Sequence, residues 1–419
     1  MKRYDSYKPS NIAWLGEIPS HWKTIRIKYL FSEIEDRNEN LNFPLLSFSR
    51  KRGIVPFSEI NEKQPSAADL SKYKIVRSGQ LLENRMQAWS GMFAKSEIEG
   101  CVSPDYSVFS ANNADICVDY YAHLFRTNNY IAHWSNLSRG IGDGFNRLYT
   151  NQFHSVVAIF PPLYEQKKIV EYLSEKIALI DEQQADIAKE IVLLQELKQA
   201  EIANAVTHGL NPDVKMKESG IPWLGKFPEH WKKLRYKDLL IPKDIKVGQR
   251  KELQLLSLTK KGVIVREISE GKGKFPKDFE NYKEVKAGDI IFCLFDVDET
   301  PRTVGISSYN GMITGAYDVF EIKNVIPDFL LYSYISFDDQ KSLKSLYKGM
   351  RKVIPLPSLF SAYFVIPPIE EQKAIVEYIK QKTSAIDEMI AKLKSQSEFL
   401  TEYRQRLIAD VVTGQVKVD

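Results

Sequence analysis

The chain says the same thing twice. Residues 12–30, IAWLGEIPSHWKTIRIKYL, return as IPWLGKFPEHWKKLRYKDL at 221–239. Further on, FPPLYEQKKIVEYLSEKIALID at 160–181 returns as IPPIEEQKAIVEYIKQKTSAID at 366–387. The motifs keep their order, so the sequence is a tandem duplication of one unit of roughly 200 residues. Whatever fold one half adopts, the other adopts as well. Two equivalent units imply something bound twice, or something two-fold symmetric bound once.

The second motif opens the clearest structural signal. No Gly or Pro interrupts 163–208 or 369–413. Pro161-Pro162 and Pro367-Pro368 precede these runs, where proline is tolerated at a helix start, and Gly209 and Gly414 follow as C-terminal stops. Apolar-rich positions recur at alternating steps of four and three: Leu173, Ile177, Ile180, Gln184, Ile187, Ile191, Leu194, Lys198, Glu201 and Ala205. The second copy gives Ile379, Thr383, Ile386, Ile390, Leu393, Ser397, Leu400, Arg404, Leu407 and Val411 in the same register. That spacing is a heptad seam. Each helix should run ~65 Å at 1.5 Å per residue. The connection Gly209–Gly220 is too short to span that distance, so the two helices are expected to pair with each other antiparallel.

The remaining segments predict globular α+β blocks with short strands, such as Leu45–Phe48, Leu253–Leu258 and Asp289–Phe295. Landmarks recur inside them: LLSFS with LLSLT, VRSGQLL with VKAGDII, and GCVSPDYSVF with GMITGAYDVF. Between landmarks the two copies differ freely. The expected organisation is block 1–160, helix 161–210, block 211–366 and helix 367–419, with a pseudo-two-fold arrangement overall.

Bulk properties bound the function. The net charge is +4, and the positive charge sits in the two globular blocks while the helical segments are net acidic. A basic globular surface suits a polyanion, through phosphate contacts and counterion release, although such an excess is also ordinary for blocks of this size. The three cysteines lack CxxC spacing, which fits a reducing compartment without a zinc site or disulfide framework. No apolar run approaches ~18 residues, and MKRYDSYKPS lacks the apolar core of a signal peptide. No membrane partner is expected.

Catalytic motifs do not complete themselves. Gly220 to Lys226 has phosphate-loop spacing, but Phe227 follows where a Ser or Thr would meet magnesium. Phe160-Pro161-Pro162-Leu163 and Ile366-Pro367-Pro368-Ile369 lack the polar and aromatic flanks that an adenine methyltransferase motif needs. Glu165-Gln166-Lys167 and Glu371-Gln372-Lys373 have the form of a nuclease triplet, but sit in a first helical turn where a Glu complements the dipole. The expectation is a binding protein with no catalytic residue, no metal and no cofactor of its own.

Candidate contacts lie in loops. Arg50-Lys51-Arg52 and Lys260-Lys261 are basic turns at equivalent places in the two blocks. Lys and Arg there could hold phosphates or read guanine, or could simply be solvated hairpin tips. Arg85, Gln87 and Trp89, Arg302 and Thr303, and Arg147 with Arg351 and Lys352 are further loop candidates for DNA. Trp14, Trp22, Trp223 and Trp231 lie in the two WLG..P.HW copies; they are either interface anchors for a partner or pins of the local core.

The WLG..P.HW element, the PP..EQ..IVEY helix start and their repetition across two variable blocks resemble the specificity subunit of type I restriction–modification enzymes. LLSLTKKGVIV (255–265) and GMITGAYDVF (311–320) are similar to segments of that family. The resemblance covers essentially the whole chain. It implies two target recognition domains, each reading one half of a split double-stranded DNA site, with the long helices as spacers that dock two modification subunits. It also implies restriction subunits as further partners, a cytoplasmic prokaryotic setting, and S-adenosylmethionine, ATP and Mg2+ on those partners. Two other classes compete: a coiled-coil scaffold joining two proteins, which would not bind DNA at any salt, and a lone DNA-binding regulator, which would bind tightly without partners.

Overall fold

The structure, a computed structural model, describes residues 2–40, 42–50, 52–60, 69–140, 146–248, 253–266, 279–300 and 302–418. The chain divides into two units, Met1–Ile187 with Ser395–Asp419, and Ala188–Lys394. Each unit holds one globular block and a stretch of both long helices.

In the first unit a four-stranded antiparallel sheet runs in the order Phe31–Ile34, Tyr106–Ala111, Leu81–Asn84, Phe93–Lys95. A hairpin, Leu46–Ser49 with Gly53–Pro56, stands beside it, and Lys23–Arg26 pairs with Val157–Phe160. Helices α1 (Val118–Leu124), α2 (Asn128–Leu137) and α3 (Thr150–Ser155) close the core. The core is aromatic: Phe93, Phe109, Phe125, Trp134 and Phe153 are fully buried and contact one another edge-to-face or tilted, with Phe93 stacked on Phe153. Such rings contribute both large apolar area and directional contacts.

The second unit repeats this construction. Its sheet runs Leu240–Lys243, Asp318–Ile322, Ile290–Phe292, Val304–Ile306. The hairpin is Leu256–Thr259 with Gly262–Val265, and Lys232–Arg235 pairs with Tyr363–Ile366. Helices α4 (Leu163–His208), α5 (Pro327–Asp339), α6 (Leu356–Ser361) and α7 (Ile369–Val412) complete the order, α4 and α7 each being divided between the units. The strands lie within a few residues of the expected runs, and the basic turns do sit at hairpin tips.

The heptad seam is the structural seam. All ten expected positions of α4 and all ten of α7 are buried or half-buried. Every other residue from 181 to 197 and from 384 to 399 is exposed. In the first unit Arg404 Nη1 pairs with Asp181 at 2.5 Å, and Gln184 Nε2 donates to Thr401 Oγ1 at 2.9 Å. In the second unit Lys198 Nζ reaches Asp387 at 2.6 Å, and the Tyr378 hydroxyl donates to Glu201 at 2.7 Å. In each unit the partner number falls as the residue number rises, so the helices pair antiparallel. Polar seam residues such as Gln184, Lys198 and Arg404 find cross-helix partners, which fixes register at some cost in apolar burial.

Candidate nucleic-acid interface

In the first unit the hairpin Leu46–Ser49 with Gly53–Pro56, through Arg50 at its end, meets the loop after strand Leu81–Asn84. Arg50 is exposed, and its guanidinium donates to Ser90 Oγ at 2.7 Å, while Arg126 Nη2 donates to the Arg50 carbonyl at 3.0 Å. Trp89 is 42% exposed, anchored by its indole N–H to the Met86 carbonyl at 3.0 Å. Gln87 is exposed beside it. Arg147 points into the same cluster, donating to Asp105 at 2.5 Å and lying against Met86 Sδ at 3.4 Å. Arg50, Gln87 and Trp89 are thus exposed close together, and they are residue types suited to a phosphate, a base edge and a stacked base. Arg52 sits on the same turn, paired with Glu59; Lys51 lies outside the described residues.

Arg85 belongs elsewhere. Its Nε donates to Ser107 Oγ at 2.6 Å and its Nη2 to Glu33 at 2.5 Å. The side chain is turned into the domain, mostly buried and ion-paired with Glu33, unlike exposed Gln87 and Trp89. Glu33 also accepts from Thr150 Oγ1 at 2.7 Å and pairs with Lys74 at 3.2 Å. Burial raises the Glu33 pKa, but the Thr150 hydrogen bond and the Arg85 and Lys74 charges outweigh it and hold the carboxyl at about 2.

The second unit offers a different surface. Lys260 and Lys261 are exposed at the hairpin tip. Thr259 Oγ1 closes this turn, accepting from Lys261 N at 3.1 Å and donating to the Gly262 carbonyl at 3.0 Å, and Gly262 takes φ +96°. Arg351 is exposed; it forks onto Asp296 at 2.5 and 3.2 Å and stacks over Phe295 at 5.3 Å. Lys352, also exposed, follows it in the left-handed region at φ +45°.

Arg302 and Thr303 are corrections. Thr303 is fully buried, its backbone N–H held by Asp338 Oδ2 at 2.9 Å, and Arg302 lies 3.4 Å from Asp339 at the end of α5. The segment leads into the edge strand Val304–Ile306 and is pinned under the helix, so Thr303 cannot reach a ligand outside.

Of the four tryptophans, Trp22 and Trp231 are 0% and 2% exposed. Trp22 Nε1 donates to Glu165 at 2.9 Å and Trp231 Nε1 to Glu371 at 3.1 Å. Trp14 is half-buried against Tyr130 and stacked on His133; half-buried Trp223 packs on the second core. The core reading therefore holds for Trp22 and Trp231, which present no surface to a partner.

The residues that sequence reasoning undervalued are Glu165, Gln166 and their copies. Glu165 accepts from Trp22, from the Tyr4 hydroxyl at 2.9 Å and lies 2.6 Å from His21 Nε2. Burial pushes its pKa up, but these hydrogen bonds prevail and lower it. Gln166 accepts from Cys117 N at 2.9 Å, at the start of α1, and donates to the Pro161 carbonyl at 2.8 Å. Gln372 does the same with Ile326 N at 2.8 Å and Pro367 at 2.9 Å. The recurrence of EQ in both copies was the available signal. Among the described residues no group of His, Cys, Asp and Glu is arranged to hold a metal ion, and no helix is long and apolar enough to cross a membrane.

The chain matches no protein-family model. It is 24% identical, across 98% of both chains, to a Methanocaldococcus jannaschii protein named as candidate specificity subunit of the type I restriction enzyme MjaX. Among solved structures it is similar to a chain from a study of complex assembly and conformational transition of a type I R-M system, with a TM-score of 0.69, 15% identity, and coverage of 95% of this chain and 99% of that one. The HsdS subunit from Thermoanaerobacter tengcongensis is similar with a TM-score of 0.58, 17% identity, and coverage of 95% and 98%. The chain is thus similar in sequence, over nearly its whole length, to a protein named as a specificity subunit of a type I restriction enzyme, and it shares the fold of HsdS.

Proposed function

We propose that this chain is the non-catalytic DNA-recognition subunit of a type I restriction–modification complex, in which each globular block reads one half of a bipartite, asymmetric double-stranded site. The observation that carries this reading is the contrast between shared scaffold and unlike tips. The two sheets have the same strand order, and the same Trp–Glu contact joins each block to its helix. The loops above them differ: Arg50, Gln87 and Trp89 on one, Lys260, Lys261 and Arg351 on the other. One backbone with two side-chain sets is what reading two different half-sites requires.

The paired helices would set the number of unread base pairs between half-sites and dock two modification subunits. Exposed apolar residues support docking: Leu179 and Phe399 on the first unit's helix stretches, and Val192, Leu193 and Met389 on the second's. Exposed apolar side chains mark an interaction surface where they gather into a patch, and are ordinary where they stand singly. Methylation of a base in duplex requires that base to be flipped into a pocket, which we assign to the modification subunit together with S-adenosylmethionine. ATP and Mg2+ are assigned to the restriction subunits.

The test is domain exchange. Residues 21–160 are replaced by the matching block of a relative with another target, the modification subunit is co-expressed, and methylated adenines are mapped across the host genome. One half of the site should change and the other stay. A change in both halves contradicts modular reading.

A further inference from the structure

The first unit contains a buried charge network in which Glu33, Glu83 and Arg85 have no charged counterparts in the second. Glu83, on strand Leu81–Asn84, is fully buried, and both its carboxyl oxygens are without a hydrogen-bond partner among the described residues. Arg85 lies two residues on, clamped by Glu33 and Ser107. Lys74, 1% exposed, joins Glu33 at 3.2 Å and Glu35 at 2.6 Å. From α3, Thr150 bonds Glu33 and His154 lies within its electrostatic reach.

Register identifies the same places in the second unit. Glu83 pairs with Ser107 and Phe93; Phe292 pairs with Asp318 and Val304 at the equivalent points of its sheet. Glu33 and Pro242 likewise sit opposite Phe109 and Phe320. The triad Glu33, Glu83 and Arg85 is thus matched by Pro242, Phe292 and Leu294, of which Phe292 and Leu294 are buried core residues. The second unit fills these three places with apolar atoms but keeps the neighbouring ion pair: Lys283, the match of Lys74, lies 3.6 Å from Asp244 and 3.3 Å from Asp318.

Ionic groups in a core are costly unless paired, and often stabilise no better than apolar residues of like volume. Their use here coincides with what they hold. The Arg85 backbone N–H donates to the Asp105 carbonyl at 3.2 Å, and Leu148 N donates to the Arg85 carbonyl at 3.1 Å. The second unit keeps the latter main-chain bond at Leu294, whose carbonyl accepts from Ile354 N at 2.8 Å; what the Arg85 side chain adds is the clamp onto Glu33, Ser107 and, at 3.4 Å, Thr150, beneath the loops that carry Gln87, Trp89, Asp105 and Arg147. We propose that Arg85, held by Glu33 and Ser107 beside the buried Glu83 carboxyl, is a positioning residue that sets base discrimination at the half-site read by the first unit, without touching DNA itself. The inference rests on the half-site reading proposed above.

Burial keeps Glu83 neutral, its pKa pushed up to about 8 against the opposing pull of Arg85. Once ionised, it competes with Glu33 for the Arg85 guanidinium. Discrimination by the first unit then falls above about pH 8, while the second unit, with Phe292 in that place, has no matching dependence.

The experiment uses the complex with its modification subunits and duplexes carrying the full site, one substitution in the first half-site, or one in the second, with the halves assigned by the domain exchange. Arg85→Met should cut discrimination at the first half-site about tenfold or more, the worth of one misplaced base contact, and leave the second within about twofold. Arg85→Lys should restore part of it. Glu83→Gln should match the parent at pH 7 and hold its discrimination at pH 9, where the parent declines. Equal losses at both half-sites, or no change at either, overturn the proposal while the domain exchange still supports half-site reading. A domain exchange that alters both halves removes the reading and this proposal together.

Discussion

Trp22 donates its indole N–H to Glu165 at 2.9 Å. This contact joins the two sequence motifs that the halves of the chain share most closely: the HW of the first sits on the EQ of the second. Trp231 and Glu371 repeat it at 3.1 Å. The end of the other long helix completes each clasp. Gly414, after α7, backs onto Pro19 and Trp22, and Gly209, after α4, backs onto Trp231 and Glu371. The repeated residues are therefore the ones that join a block to its helices. They constrain one another's chemistry, whereas the loops are under no such constraint.

Removing the acceptor should expose the value of the clasp. Glu165→Ala leaves a buried indole N–H unsatisfied and is expected to lower first-unit stability by about 1–3 kcal/mol. Glu371→Ala should cost less, because that side chain is 27% exposed against 9% for Glu165. Urea denaturation followed by tryptophan fluorescence measures both; equal or negligible losses would contradict the assignment.

Gly414 and Gly16 share a left-handed backbone, at φ +75° and +77°. A Cβ at Gly414 would lie 2.5 Å from Pro19 Cδ, while one at Gly16 meets nothing within 4 Å. Gly16→Ala should show the backbone strain alone, about 1 kcal/mol, and Gly414→Ala distinctly more. Thermal unfolding of the two variants side by side decides; similar shifts would mean that the close approach to Pro19 and Trp22 is easily relieved.

Glu33 and Glu83 should pull the pH dependence of stability in opposite directions. Glu33 is depressed to about 2 in the fold, so its contribution is present above its ordinary value of 4.5 and is lost as pH falls from there towards 2. Glu83 is raised to about 8, so its contribution is complete below 4.5 and declines as pH rises through 8. Glu33→Gln should therefore destabilise at neutral pH, with the gap closing in acid. Glu83→Gln should flatten the decline between pH 4.5 and 8. Denaturation midpoints from pH 2 to 8 check both signs, and a Glu83→Gln variant that still declines like the parent would rule out this role for Glu83.

Replacing Lys260 and Lys261 by Ala should weaken DNA binding at every sequence and flatten its salt dependence, since each phosphate contact adds about 0.9 to the slope of log K against log salt. Fluorescence anisotropy between low and physiological salt reads this directly. An unaltered slope would make the hairpin tip a solvated turn.

Periodicity made the scaffold legible. A seam at steps of four and three, bounded by Pro-Pro and Gly, located α4 and α7 to within a residue, because a long helix in water must bury a stripe and leave the rest exposed. The tips of the hairpins were legible through Gly53 and Gly262, which take φ +72° and +96°. Side-chain direction was not. Arg85 and Thr303 sit in loop-like sequence, yet their partners Glu33 and Asp338 lie 52 and 35 residues away in the chain. No local pattern announces that an arginine faces Glu33 rather than solvent. The Glu of EQ was read as a dipole complement, which is true of any first-turn acid; its bond to Trp22 spans 143 residues.

If the paired helices set the gap between the two half-sites, lengthening them must widen it. Inserting one heptad into both α4 and α7, in register, adds about 10 Å of helix, or at most about three base-pair steps. Methylated adenines would then be mapped in cells carrying the modification subunit. The account predicts the same two half-sites with a wider gap between them; an unchanged gap, or altered bases within the half-sites, would contradict it.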